Sequence, residues 1–507
     1  MHTKFSSRKF LPLLGLGLLS AFGCTKENLS PTASLNGDLD ASLNSAAQRS
    51  AQATPGFVMR AKQYIIIASG DQLPANIEAQ ATAANGKVTN QLREVGLAVA
   101  TSDDPDFAAK AAKIAGVRSV VHDFTYQGFE PQPNREMEAA ANNVNPPSTG
   151  DSNPLFPLQW GATAIQAPDA WNTGNQGQGV LVADLDGGFE LQHPDLAGNI
   201  VGSKSFVPNE PAQFVGAGAS HGTHTAGTIA AADNDIGVIG IAPKAKLLLV
   251  KVLGDAGSGS FSWLIQGIIY ATQQRADVIN MSLGAALPRN GKYLDDAGNV
   301  INDTKATQEL LVALSKATSY ATKNGVTLIA SAGNDANNGN QDQSVVHIPA
   351  DATGVISISA TGPSGWALKP LTTNLDRFAS YSNYGTPAVT FAAPGGDFVY
   401  PDRTAIATIG PVTQYVWALD MVLSTGRVTT VGNVTQVGYT WMAGTSMAAP
   451  HATGVAALII GKNGGDMDPS RVEAALRASA NDLGKPGRDP YYGYGRVNAF
   501  RAVAQSN

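Results

Sequence analysis

The segment Val180-Leu-Val-Ala-Asp-Leu-Asp-Gly-Gly188 decides the fold, because it is an apolar run that ends in an acidic residue and a glycine turn. Four later runs are also largely apolar, with helical segments between them: Lys246-Leu-Leu-Leu-Val-Lys-Val252, Asp277-Val-Ile-Asn-Met281, Val326-Thr-Leu-Ile-Ala330 and Val355-Ile-Ser-Ile-Ser359. Strands that are apolar along their whole length are buried on both faces, which is typical of parallel strands connected by helices. Residues 156–507 therefore predict an α/β domain with three layers, a central and mostly parallel sheet covered by helices on both faces.

A smaller unit precedes this domain, at residues 58–128. Its pattern begins with the β-branched strand Gln63-Tyr-Ile-Ile-Ile-Ala68 and continues as helix, strand, strand, helix and strand. The order β-α-β-β-α-β predicts a ferredoxin-like α+β unit. Residues 129–155 hold Pro, Asn, Glu and Gly with little apolar content, and they predict a linker that is open to proteolytic processing.

The overall composition excludes several classes of protein. The chain has 507 residues, of which 43% are hydrophobic and 15% charged, so we expect folded domains rather than a disordered chain. The net charge of −6 and the lack of a long basic run argue against a nucleic-acid partner. The one cysteine, Cys24, excludes an intrachain disulfide and a Cys-based zinc site.

The N-terminus predicts export. Lys4, Arg8 and Lys9 precede a short apolar run and small residues, which is the layout of a signal peptide over residues 1–23. The residues up to Cys24 resemble a bacterial lipoprotein processing site, so Cys24 is a candidate for lipidation. The alternative is an ordinary signal peptide followed by a cysteine without a special role. Residues 24–57 predict a flexible tether, and the destination is the cell envelope or the medium.

Three remote segments carry the residue types of nucleophilic catalysis. Ser446 is the candidate nucleophile, in Gly444-Thr-Ser-Met-Ala-Ala-Pro450 at the start of a small-residue helix. His221 is the candidate base, and it also opens an Ala- and Gly-rich helix. Asp186 is the candidate orienting acid, because it ends a buried strand at a glycine turn. The simpler interpretation of Ser446 is a helix cap.

Each candidate has a competitor or a companion. Asp184 lies two residues before Asp186 on the same strand face, and the sequence names no partner for it. His224 lies one turn after His221, but the pair lacks the spacing and the glutamate of a zinc metalloprotease helix, so we expect it to be packed. Asn334, which follows the Val326 strand, is the candidate oxyanion donor; a simple Gly-Asn turn is the alternative.

Together these segments resemble the subtilisin-like serine proteases. The likeness extends over most of residues 156–507, and the order Asp, His, Ser is also that of the family. The quoted motifs and four further segments carry it: His193-Pro-Asp-Leu196, Val250-Lys-Val-Leu-Gly-Asp-Ala-Gly-Ser-Gly-Ser-Phe-Ser-Trp263, Asp277-Val-Ile-Asn-Met-Ser-Leu-Gly284 and Ala332-Gly-Asn334. The unit at 58–128 is similar to the family's inhibitory prodomain. The resemblance implies a serine endopeptidase that processes itself and acts on polypeptides with broad specificity.

The resemblance also implies where substrate and calcium bind. An extended peptide would lie between two stretches of main chain and against a first-pocket wall: Ser282, Leu283 and Gly284; Gly257, Ser258 and Gly259; Ser331, Ala332 and Gly333. His347 falls near the pocket floor or in an exposed loop. A structural calcium ion would have oxygen ligands from Gln159, Asp195, Ala232, Asn234, Ile236 and Val238. No organic cofactor is expected, and a monomer is the default.

Two alternatives remain open at this point. The chain could be a catalytically silent relative that serves as a surface binding module, although it keeps all four residue types of the site. It could also be an enzyme that cleaves only its own prodomain. The stretch from Tyr400 to Thr440 predicts additional β-hairpins before Ser446.

Overall fold

The apolar runs of the sequence come together as one parallel sheet in the computed structural model, which describes residues 56–128, 134–138, 152–431 and 434–505. The predicted signal peptide, Cys24 and nearly all of the predicted tether lie outside the described residues. So do residues 129–133 and 139–151 of the predicted linker. Among the described residues, no helix is long and apolar enough to span a bilayer.

The regular elements are numbered in chain order. The strands are β1 (Phe57–Ala68), β2 (Lys87–Leu92), β3 (Leu97–Thr101), β4 (Val117–Gln127), β5 (Asn134–Glu138), β6 (Leu181–Asp186), β7 (Ile200–Ser205), β8 (Lys246–Lys251), β9 (Ser258–Ser260), β10 (Val278–Met281), β11 (Ala285–Pro288), β12 (Lys292–Asp295), β13 (Val300–Asn302), β14 (Thr327–Ser331), β15 (Val345–Ile348), β16 (Val355–Thr361), β17 (Phe391–Pro394), β18 (Ile406–Ile409), β19 (Val412–Tyr415), β20 (Val422–Val431) and β21 (Val434–Met442). The helices are α1 (Ile77–Ala83), α2 (Phe107–Ala111), α3 (Trp160–Ala164), α4 (Ala167–Trp171), α5 (Pro194–Ala197), α6 (His221–Ala230), α7 (Phe261–Gln273), α8 (Thr304–Lys323), α9 (Val416–Leu419), α10 (Thr445–Lys462), α11 (Pro469–Ser479) and α12 (Ala499–Gln505).

The central sheet has seven strands in the order β17-β16-β14-β10-β6-β8-β7. All of its neighbouring strands are parallel. Helices α6 and α10 pack with one hydrophobic cluster on one face, and α7 and α8 pack with a second cluster on the other. This is the predicted three-layer α/β fold. Because the strands are parallel, the residues that follow β6, β10 and β14 meet at one edge of the sheet.

The N-terminal unit has the six elements in the predicted order, with the four strands arranged β2-β3-β1-β4 and antiparallel. The sequence pattern predicts helices over residues 73–84 and 104–115, and the observed helices α1 and α2 are shorter. The unit packs on the helices of the larger domain: Asp123 accepts hydrogen bonds from the N–H (3.1 Å) and hydroxyl (2.7 Å) of Ser262 at the start of α7. Arg118 pairs with Glu309 of α8 at 2.9 Å.

The region before α10 forms hairpins, as predicted. β18 pairs with β19, and β20 pairs with β21. Parts of the predicted linker at residues 129–155, in contrast, belong to the folded structure. Residues 134–138 form β5, which pairs with β21, and Asn153 and Leu155 are fully buried. Composition does not reveal such a strand, because its partner supplies the backbone hydrogen bonds that define it.

Candidate active site

Asp186 and His221 form a close pair at the carboxyl edge of the sheet. Nδ1 of His221 lies 2.9 Å from each carboxylate oxygen of Asp186, which is fully buried. Ser220 joins the two segments, because its hydroxyl donates to the carbonyl of Gly188 at 2.8 Å and accepts from the N–H of Thr223 at 3.2 Å. The helix start is thereby fixed to the turn that carries Asp186.

Ser446 lies at the same edge of the sheet, next to the end of β10. It is the second residue of α10, it is buried, and its carbonyl accepts a 2.8 Å hydrogen bond from the hydroxyl of Ser282. Ser282 directly follows β10, and in the sheet Asn280 of β10 pairs with Asp184 of β6. Two residues further along each strand, Ser282 holds the serine segment while Asp186 holds the histidine. Adjacent strands are about 4.8 Å apart, so the two helix starts are neighbours.

Asn334 is attached to the serine segment. Its side-chain oxygen accepts from the N–H (2.9 Å) and the hydroxyl (2.8 Å) of Thr445, the residue before Ser446. The amide nitrogen is left for another acceptor, and it lies 3.5 Å from the point where a side chain on Gly444 would begin. The first N–H groups of a helix also lack intrahelical acceptors. Two kinds of donor thus meet beside Ser446.

A buried polar layer lies directly under these residues. Asp184 is fully buried, and it bonds the hydroxyl of Thr225 and the amide of Asn280, each at 2.8 Å. Asn280 in turn accepts from the hydroxyl of Thr453 at 3.0 Å. The layer therefore joins β6 and β10 to α6 and α10, the helices that begin at His221 and next to Ser446. It also supplies the partners that the sequence could not name for Asp184.

The geometry favours a neutral Asp184. Burial, and then the nearby Asp186, raise the pKa of Asp184 well above its usual value. The Thr225 hydroxyl also lies 3.0 Å from the carbonyl of Gly222, so it can donate there and accept the proton of the acid. With Asp184 neutral, every member of this group has a partner.

Comparison with known proteins identifies the family. Residues 177–495 match the model of the subtilase family, Peptidase_S8. The chain belongs to the subtilase family. It is 33% identical over 348 residues to thermitase of Thermoactinomyces vulgaris, a match that covers 68% of this chain and 95% of thermitase. It is 35% identical over 352 residues to subtilisin Savinase of Lederbergia lenta, which covers 68% and 98%.

A solved structure supports the fold over a longer stretch. The epidermin leader peptide processing serine protease (EpiP) of Staphylococcus aureus superposes with a TM-score of 0.66. The likeness covers 89% of this chain and 99% of that protein, at 22% identity. Because the chain belongs to the subtilase family and matches subtilisin-like proteases over most of their length, it is a serine-type endopeptidase.

The predicted cleft of this subtilase brackets a segment of its own N-terminal unit. β9 pairs antiparallel with the end of β4, with Gly259 opposite Tyr126. Beyond β4, the N–H of Gly128 donates to the carbonyl of Gly257 at 2.8 Å, and its carbonyl accepts from the N–H of Gly284 at 2.7 Å. The two stretches predicted to bind substrate therefore hold residues 125–128 between them.

The predicted pocket wall joins the cleft to the catalytic segments. The Ser331 hydroxyl reaches the carbonyl of Leu283 at 3.5 Å, and the N–H of Gly333 donates to the Thr445 hydroxyl at 3.1 Å. Gly333 has a φ of 105°, and a side chain there would begin 2.3 Å from the amide of Asn383, so only glycine fits. That amide also lies 3.3 Å from Nδ1 of His347, which is buried beside the wall rather than in an exposed loop.

His224 is packed, as expected from its sequence context. One ring nitrogen, Nε2, lies 3.0 Å from the carbonyl of Val422 in β20. Complete burial lowers the pKa of His224 to about 3. The hydroxyls of Ser424 and Thr425 donate to the carbonyls of His224 (2.8 Å) and Thr223 (2.7 Å). The β20–β21 hairpin is thus fastened to the first turns of the histidine helix.

Three of the six predicted calcium ligands surround an asparagine that the sequence analysis did not include, and a fourth, Asp195, accepts from the N–H of Val238 at 3.1 Å. The side-chain nitrogen of Asn153 lies 3.2, 2.6 and 2.8 Å from the carbonyls of Ala232, Ile236 and Val238. The buried oxygens Oδ1 of Asn153 and Oδ1 of Asp195 have no hydrogen-bond partner among the described residues.

Two predicted ligands stand apart from this group in different ways. Gln159 is directed elsewhere, because its amide bonds both backbone groups of Ile239, at 2.8 and 2.9 Å. Asn234 stays at the rim, 3.4 Å from the carbonyl of Pro194. Asn153 lies in the stretch that was predicted to be a linker. Its one signal in the sequence was its position two residues before the apolar Leu155.

Proposed function

We propose that this subtilase cleaves peptide bonds with Ser446 as nucleophile, His221 as general base and Asp186 as the orienting acid. The observation that carries the proposal is the arrangement at the sheet edge. There, Asp186 holds the His221 ring from β6, while Ser282 holds the Ser446 segment from the adjacent β10. Asn334 would receive the oxyanion, together with the Ser446 N–H.

Each residue has a definite task in the reaction. His221 takes the proton of the Ser446 hydroxyl as that oxygen attacks the substrate carbonyl, and later gives the proton to the leaving amine. Asp186 holds Nδ1–H, which leaves Nε2 to act on the serine, and it stabilises the charged ring. The carbonyl oxygen gains negative charge in the tetrahedral intermediate, where the Asn334 amide donates to it. Water then hydrolyses the acyl-enzyme.

The N-terminal unit is proposed as an inhibitory prodomain that the enzyme removes itself. Residues 125–128 pair with the cleft by main-chain hydrogen bonds, as an extended peptide substrate would. Such contacts do not read side chains, and this supports broad specificity. The proposed processing region begins directly after Gly128 in the sequence. Export, with Cys24 as a lipid anchor in the cell envelope or with secretion to the medium, is proposed from the sequence of the N-terminus.

A structural calcium ion is proposed among the three backbone carbonyls that surround Asn153. Three carbonyls converge on a side-chain amide with only two hydrogens, and two buried oxygens lack partners among the described residues. If the amide is reversed, Asn153 adds an oxygen to the three carbonyls and to Asp195. An all-oxygen site of this kind suits Ca²⁺, which would fasten the loop after α6.

Calcium removal is expected to lower the melting temperature by roughly 5–10 °C, because a ligand that binds only the folded state stabilises it. The measurement is a thermal melt of the processed enzyme with calcium and with a chelator. Asp195→Ala should abolish the response, whereas Gln159→Ala should keep it. Equal melting temperatures with and without chelator in the wild type would remove the site.

A fluorophosphonate probe tests the catalytic proposal directly. We expect it to label the processed enzyme at Ser446, located by peptide mass spectrometry, and the label to be lost in His221→Ala, which keeps the serine but lacks the base. The rival candidate is a catalytically silent binding module, and intact His221, Asp186 and Asn334 geometry argues against it. Absence of labelling in folded, processed protein would favour the silent module.

A further inference from the structure

Two described stretches of the N-terminal part of the chain pair with segments of the larger domain. Residues 125–128 lie in the cleft, and β5 begins six residues later, at Asn134. β5 pairs antiparallel with β21, from Asn134 opposite Met442 to Glu138 opposite Gly438. Met442 is four residues before Ser446, so β5 starts next to the serine segment and runs away from it along the hairpin. Residues 129–133 lie outside the described residues.

This arrangement has the polarity of a substrate. A peptide that is cleaved at Ser446 has one half before the scissile bond and another half that departs as the leaving group. Residues 125–128 take the place of the first half, between Gly257 and Gly284. β5 takes the place of the second half, beyond the serine, in the same chain direction.

Two side chains of β5, Arg135 and Met137, contact the larger domain. The guanidinium of Arg135 lies 5.5 Å from the centre of the Tyr415 ring, over its face. Tyr415 is itself stacked on Trp417, at 6.1 Å between ring centres. Met137, two residues after Arg135 and therefore on the same strand face, is partly buried against the main hydrophobic cluster.

The edge of β21 that pairs with β5 is attached to the histidine helix through β20. β20 is fastened to the histidine helix by the hydroxyls of Ser424 and Thr425, and β21 pairs with β20 along most of its length. The β21 edge is thus attached through β20 to the helix that carries His221. A preorganised edge loses little freedom on binding a strand.

We propose that β21 and Tyr415 form a binding site for the leaving-group side of polypeptide substrates. The site adds an extended peptide to β21 by main-chain hydrogen bonds. It prefers a cationic side chain over the Tyr415 ring and an apolar side chain two residues later. In the precursor, residues 134–138 occupy this site. The proposal rests on the proposed protease function and specifies its substrate.

The test uses processed wild-type enzyme and three internally quenched peptides that span residues 124–140. One has the natural sequence, one carries Arg135→Ala and Met137→Ala, and the matched control carries Glu136→Ala and Glu138→Ala. We expect kcat/KM to fall about tenfold for the Arg135 and Met137 peptide, mainly through KM, and to change less than about twofold for the control.

A second substrate separates this inference from the proposed function. A peptide p-nitroanilide has no residues after the scissile bond, so the Tyr415→Ala enzyme should cleave it at the wild-type rate. The same variant should lose the preference for the natural peptide over the Arg135 and Met137 peptide. Tyr415→Phe keeps the ring and should keep the preference. Equal kcat/KM values for all three peptides would overturn this inference and leave the proposed protease function intact. The same conclusion would follow if none of the three peptides were cleaved while p-nitroaniline was still released. Loss of cleavage of every substrate overturns the proposed function.

Discussion

Ser446→Ala is expected to leave the precursor at full length, whereas the wild type loses the segment before about residue 150. The variant removes the nucleophile, and the rest of the site cannot replace a covalent step. On added peptide substrates we expect turnover to fall about a millionfold, a magnitude that was measured on a subtilisin and is carried over from the family. A denaturing gel and intact-mass spectrometry of purified protein provide the measurement.

The matched control is Ser357→Ala, because Ser357 is a buried serine of β16 whose hydroxyl has no hydrogen-bond partner among the described residues. It makes the same chemical change away from the site and should be processed like the wild type. If Ser446→Ala were processed normally in the absence of other proteases, the assignment of the nucleophile would be wrong. Adding active wild type in trans should cut the variant, which shows that the bond is accessible.

Asn334→Leu is expected to lower kcat by about 10²–10³ with little change in KM, a magnitude that likewise comes from a measurement on a subtilisin. The amide would contact the carbonyl oxygen mainly after it becomes negative. Its loss therefore affects the transition state more than the bound substrate. Initial-rate kinetics with a p-nitroanilide substrate separate kcat from KM.

A second substitution distinguishes loss of the donor from damage to the turn. Asn334→Asp keeps an oxygen that accepts from the N–H and hydroxyl of Thr445, but it replaces the donating amide nitrogen with an oxygen. We expect it to lose at least as much turnover as Asn334→Leu. Asn340→Leu, at an exposed asparagine of the same loop, should behave like the wild type. Wild-type turnover in Asn334→Asp would refute the donor role.

The sequence predicted most of the framework because local signals were strong. Continuous apolar runs such as the one before Asp186 can be buried only between two layers, so the parallel sheet followed from them. Glycine turns and small-residue helix starts marked the segments of His221 and Ser446. The family likeness connected these segments, and it also indicated the two stretches of main chain that hold residues 125–128.

Other features could not be predicted because they depend on remote partners. Gln159 and Asn153 are both polar residues near the start of the large domain, yet Gln159 bonds Ile239, and Asn153 contacts the carbonyls of Ala232, Ile236 and Val238. β5 has no apolar alternation of its own, and it exists because β21 offers an edge. Asp184 is explained by Thr225 and Asn280, which come from a helix and a neighbouring strand.

The sequence by itself determined the α/β class, the family and the identity of the reacting residue types, because these depend on periodicity and on short motifs within single segments. The tertiary structure alone decided which polar groups meet: Asp184 with Thr225 and Asn280, Asn153 with three carbonyls, and the main chain of residues 125–128 with the predicted cleft. Hydrogen bonds act over about 3 Å, and only folding brings atoms from distant segments within that distance.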